Sequence, residues 1–107
     1  LNTGHTIQNP RPADGQSIHS VYWCHLPEHT DPFTQGYIGI AADHCRRERQ
    51  HRRQGRLPAG FQFTLLAVNY PRFEAARLEW QHRPRRRIGW NIKAGGGKFI
   101  RALLGGN

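Results

Sequence analysis

SIHSVYWCHLPEHTDPFTQGYIGIA, residues 17–41, is the stretch whose reading decides the fold. Its first nine residues, SIHSVYWCH (17–25), are rich in β-branched and aromatic side chains and read as a strand. LPEHTDPFTQG (26–36) holds two prolines and a glycine and breaks that pattern, so it reads as a loop. QGYIGIA (35–41) resumes the strand pattern. Two strands joined in this way favour an antiparallel hairpin with a long connection. A glycine at position 39 is out of place in a short apolar strand. It suggests that something must approach the backbone closely there.

Working outward, ADHCRRERQHRRQG (42–55) has Asp43 as a capping residue, no β-branched side chain, and Gly55 as a stop. It predicts a half-exposed helix over about 44–53. FQFTLLAV (61–68) predicts a third strand. NYPRFEAARLEWQHR (69–83) predicts a second helix, capped by Asn69 or Tyr70 with Pro71 in its first turn. Its apolar face would carry Phe73, Ala76 and Trp80, and Pro84 would end it. RPRRRIGWNI (83–92) reads as a basic turn leading to a short apolar segment, and KAGGGKFIRALLGGN (93–107) as a glycine-rich tail. Residues 1–16, rich in Pro, Gly, Asn and Thr, read as a linker-like lead-in to a single domain over 17–107. The expected fold is α/β, an α+β sandwich. A small three-stranded antiparallel sheet is flanked by helices in β-β-α-β-α order.

The chain of 107 residues has a formal net charge of +9, and the charge is unevenly placed. Residues 1–45 carry one basic and four acidic side chains; residues 46–107 carry fifteen basic and three acidic. Such asymmetry points to a polyanionic partner, nucleic acid before an acidic membrane or an acidic protein. Most of these cations are arginines, whose planar fork suits phosphate. No window approaches eighteen apolar residues, so no transmembrane helix is expected. Cys24 and Cys45 cannot define a disulfide framework. With His25, His29 and His44 they lack the spacing of zinc modules and read better as small buried hydrophobes. AGGGK (94–98) lacks the full phosphate-loop pattern and reads as a loop near the nucleic acid.

Tyr37-Ile38-Gly39 and the earlier Ser20-Val21-Tyr22, followed by Arg47 ten residues after Tyr37, then His51, Glu79 and Asn91, form an ordered set. In order and spacing it resembles the GIY-YIG nuclease family over roughly residues 17–97. The second triple matches that family's pattern. In the first, serine and valine stand where the family has glycine and isoleucine, and the tyrosine is kept. The resemblance implies a metal-dependent endonuclease that hydrolyses DNA phosphodiester bonds by direct water attack. It implies catalytic roles for Tyr22, Tyr37, Arg47, His51, Glu79 and Asn91, with Glu79 holding Mg2+ (or Mn2+). Arg46, Arg53, Arg83, Arg85, Arg86, Arg87, Lys93 and Lys98 would grip the DNA backbone.

The residues themselves are compatible with this chemistry. Arg47 and His51, at i and i+4, share a helix face and can address one phosphate. A carboxylate set among arginines can hold a hard cation whose shell water and phosphate complete. Ordinary alternatives stand beside each role. The tyrosines could be strand aromatics, Glu79 could pair with Arg83, and Asn91 could be a turn residue. Gly39 would leave room for the phosphate or for a neighbouring side chain. Lacking Met and opening on a linker-like stretch, the chain suits a nuclease or toxin domain of a larger protein, acting in the cytoplasm. A toxin would imply an acidic immunity or inhibitor protein. A catalytically inactive basic nucleic-acid-binding module is the competing expectation.

Overall fold

The computed structural model describes residues 7–8 and 18–104. Strands β1 (Ile7–Gln8), β2 (Ile18–His25), β3 (Tyr37–Ala41) and β4 (Gln62–Pro71) form one sheet. Helices α1 (His44–Gln54), α2 (Arg72–His82) and α3 (Gly97–Leu104) accompany it. The spatial order is β1-β4-β2-β3, with β2 antiparallel to both of its neighbours and β1 a short parallel addition to β4. The antiparallel sheet and the β-β-α-β-α succession are as expected. Two elements are additional. Ile7–Gln8 lies within the expected lead-in, the rest of which falls outside the described residues.

The second addition is α3, inside a tail that reads as glycine-rich and irregular. Gly96 (φ 84°) and Gly97 (φ 73°) turn the chain sharply, after which KFIRALL has no helix breaker and buries Ile100. The glycines mark the entrance to a helix rather than the absence of one. Among the described residues no helix is long and apolar enough to cross a membrane.

Strand β2 lies at the centre of the sheet and is buried from Ser20 to His25. Its alternation feeds two cores. Val21 and Trp23 join Ile38, Ala67 and Ala75 on the α2 side; Tyr22 and Cys24 join Ala41 and Phe61 on the other, whereas Cys45, expected to be buried too, is exposed on α1. Its pairing with β4 shifts register around Val21 and Tyr22, the kind of irregularity that re-aims a side chain.

Helix α1 begins and ends as its sequence dictates. The Asp43 carboxylate accepts from Arg46 N at 3.0 Å, and left-handed Gly55 donates to His51 O. Helix α2 departs from expectation at its start. The preceding strand runs on to Pro71, so Pro71 occupies the cap position without a side-chain cap, and Asn69 sits in β4 with φ 62°. Its buried face is Ala75, Ala76 and His82, whereas Phe73 is 41% exposed.

Candidate active site

Tyr22, on the central strand, has no exposed surface, and its ring stacks on Phe63 at 4.7 Å. Its hydroxyl lies 2.8 Å from His51 Nε2, the ring nitrogen of a side chain two turns into α1. Burial, reinforced by nearby Tyr37, pushes the Tyr22 phenol well above its ordinary range, while Arg47 opposes. Burial and the Arg47 charge both lower His51. Both shifts favour the neutral pair, a phenol and an uncharged imidazole joined by one hydrogen bond. Tyr37 closes the group, with its ring 6.2 Å from Tyr22 and 5.2 Å from His51. Burial is also the main cause that raises its phenol, with the Glu79 charge second.

Gly39 pairs with Tyr22 across the β2–β3 ladder. A Cβ at position 39 would sit on the Tyr22 hydroxyl and 2.5 Å from its Cζ. The glycine therefore exists to admit the Tyr22 phenol. Gly39→Ala is expected to displace that phenol, costing roughly 1–3 kcal/mol of stability by overpacking and breaking the Tyr22–His51 bond. Urea denaturation, together with the ring-proton shifts of His51, checks it. An alanine variant with unaltered stability and unaltered His51 resonances would refute this account of the glycine.

Arg47 extends from the same face of α1 as His51, and its Nη1 donates to Ile40 O at 3.2 Å. It lines a cleft of about 370 Å3 with Arg46, Gln50 and Arg53. Glu79 approaches from α2. Its Oε1 accepts from Gly96 N at 2.8 Å. The loop after residue 94 reaches this carboxylate only because it is built of glycine. A Cβ on Gly95 would lie 2.7 Å from Glu79 Cγ, and one on Gly96 2.7 Å from Trp80 Cβ. The AGGGK stretch is thus a packed strap over Glu79. Burial raises the Glu79 carboxyl above its ordinary value, against the Gly96 N–H, Arg101 and Arg47.

Tyr37, His51, Glu79 and Asn91 line one cavity of about 590 Å3, which Arg56 and Arg101 also border. Those two arginines were not singled out from the sequence. Arg101 stands on the unforeseen α3, and Arg56 follows the helix stop, where no periodicity marks it. Asn91 is buried and faces inward to the sheet. Its Oδ1 accepts from Ile38 N and its Nδ2 donates to Ile38 O, at 2.8 and 3.0 Å. Both ends of the amide are engaged with β3, so Asn91 positions Tyr37 and Gly39 rather than touching a reacting atom.

Arg83 is a correction to the expected DNA contacts. It is fully buried, and its five N–H groups donate to Asn91 Oδ1 and to the carbonyls of Pro32, His82, Gln35 and Gly36, at 2.7–2.9 Å. No donor remains for phosphate. Arg46, Arg53, Arg85, Arg86, Arg87, Lys93 and Lys98 are all exposed. Only two ion pairs, Arg52–Glu48 and Arg77–Glu74, occur among the described residues, so the expected Glu79–Arg83 alternative is not formed.

The donor set fits one kind of metal. Among the described residues no three Asp, Glu, His or Cys side chains gather into a ready-made cage. Glu79 supplies a single carboxylate, oriented by Gly96 and bordering an open cavity. A hard cation such as magnesium is commonly held by one or two carboxylates with water and phosphate oxygens. A half-buried carboxylate with a raised pKa is also one whose charge a cation would favour. Comparison with protein-family models, with characterised proteins and with solved structures gave no significant match.

Proposed function

We propose that this chain is a divalent-metal-dependent endonuclease domain of the GIY-YIG type, acting on DNA. The observation that carries the reading is the 2.8 Å bond between Tyr22 and His51, beside Tyr37 and across one cavity from Glu79. A strand tyrosine serving only as core does not need a half-buried histidine hydrogen-bonded to its hydroxyl, nor a glycine opposite it that clears that hydroxyl.

In this mechanism Tyr37, at the cavity wall, orients the attacking water, and His51, held by the buried Tyr22 hydroxyl, takes up its proton. Arg47 supplies positive charge as negative charge grows on the phosphoryl oxygens. Glu79 would hold the cation, which supplies charge neutralisation at the phosphate and assistance to the leaving oxygen. The exposed arginines and lysines bind the flanking backbone without reading sequence.

The test is nicking of supercoiled plasmid. The wild-type protein is expected to nick with magnesium and not with EDTA. Arg47→Ala is expected to lose about 10²–10³-fold in rate, the usual scale for removing one transition-state charge partner. A wild-type protein that binds plasmid but never nicks it with magnesium or manganese would instead establish the inactive binding module.

A further inference from the structure

A second cavity, of about 560 Å3, shares Glu79 with the one described above and opens between α2 and α3. Its floor is Ile40, Ala76 and Ile100, and its rim carries Phe73, Phe99, Arg72 and Lys98. Phe73 is 41% exposed and Phe99 67% exposed. Their rings meet edge to face, with centroids 6.2 Å apart and planes at 64°. A lone exposed phenylalanine is unremarkable on a protein surface. Two in contact, flanked by two exposed cations and walling a cavity that reaches the metal-holding carboxylate, form a distinct feature.

The geometry points to this cavity as a subsite for one unstacked nucleobase of the substrate strand, next to the phosphate that a cation on Glu79 would hold. This rests on the nuclease reading and narrows its substrate class. Most of the Phe99 side chain is open to solvent, an aromatic surface for a base to stack on, and stacking is tolerant of base identity. Arg72 and Lys98 match the phosphates on either side of such a base. The volume is that of a small-molecule site and exceeds what an isolated phosphate needs. A base inside an intact duplex cannot enter, because it would first have to leave its stack. The preferred substrate is therefore a single strand, a flap or a duplex with an unpaired nucleotide beside the cut.

The experiment measures binding in EDTA, where no cleavage is expected, with a short single strand carrying one 2-aminopurine and with a blunt duplex. Phe99→Ala is expected to weaken single-strand binding about tenfold or more and to abolish 2-aminopurine quenching, with duplex binding changed by less than about twofold. Phe99→Trp is expected to restore both. Leu103→Ala, one turn further along α3 and 57% exposed but outside the cavity, controls for loss of apolar surface. Phe99→Ala that binds the single strand as wild type does, or that weakens single strand and duplex equally, would overturn the base subsite; the aromatic pair would then belong to a protein contact or to none. The nuclease reading fails separately. If plasmid is never nicked yet Phe99→Ala still loses the single strand, the subsite stands in a binding module.

Discussion

Glu79→Gln is expected to abolish metal-dependent cleavage, by about a thousandfold or more, while the protein stays at least as stable as wild type. The two halves have one cause. Burial raises the Glu79 carboxyl in the folded state, so the folded protein binds that proton more tightly than the unfolded chain does. By linkage, the ionised carboxylate then costs stability once the pH passes the unfolded value, and the cost is in force at neutral pH. Glutamine removes the charge but keeps an oxygen for the Gly96 N–H, and so relieves that cost. It cannot bind a hard cation as a carboxylate does. Cleavage by the wild type should also weaken on acidification, because a proton competes with the cation for this carboxylate, and added cation should offset the loss. Glu74 provides the control. It pairs with Arg77 at 3.3 Å and borders neither cavity, and Glu74→Gln should cut normally. Plasmid nicking and thermal melts on the two variants read both halves. Undiminished nicking by Glu79→Gln would remove the carboxylate from the chemistry, and a large drop in its melting temperature would make Glu79 a structural residue.

Much of this arrangement is legible along the chain because strand and helix periods place the side chains. Tyr22 and Tyr37 fall on adjacent strands of a hairpin, and Arg47 and His51 on one face of a helix whose cap and stop are both visible in the sequence. Glu79 on a second helix needs only the order of elements to face them. What the sequence does not disclose depends on close approach between distant segments. Arg83 looks like Arg85, Arg86 and Arg87. Only the contact of the 83–91 turn with the hairpin loop sets it apart. That contact exists because Gly89, at φ 58°, has no Cβ to strike the Gly36 carbonyl. Phe73 satisfies the helical period for a buried face, but α2 packs on the sheet through the smaller Ala75 and Ala76. The phenylalanine is left at the rim.

Arg83→Ala is expected to be the most destabilising single substitution in the basic turn, at about 3–5 kcal/mol. Removing a buried, fully hydrogen-bonded charged group leaves its acceptors without donors and opens a cavity. The acceptors matter as much as the donor. The hairpin loop is already drawn tight by Asp31, which accepts from Phe33 N and Thr34 Oγ1, and by Gln35, whose Oε1 accepts from Thr30 N and Asp31 N. Arg83 ties that loop to the turn through Pro32, Gln35 and Gly36, and to β3 through Asn91. For a chain of this size the loss corresponds to a fall in melting temperature of roughly 15–30 °C. Lysine should not rescue it, because one ammonium cannot reproduce a planar fork with five donors. Arg85→Ala, two residues on and exposed, should change stability by no more than about 0.5 kcal/mol and should instead weaken DNA binding. Thermal melts and salt-dependent binding on the pair distinguish the roles. Equal stability of the two variants, with DNA binding lost in Arg83→Ala, would return Arg83 to the surface and undo the clamp that holds Tyr37 and Gly39 in register with Tyr22.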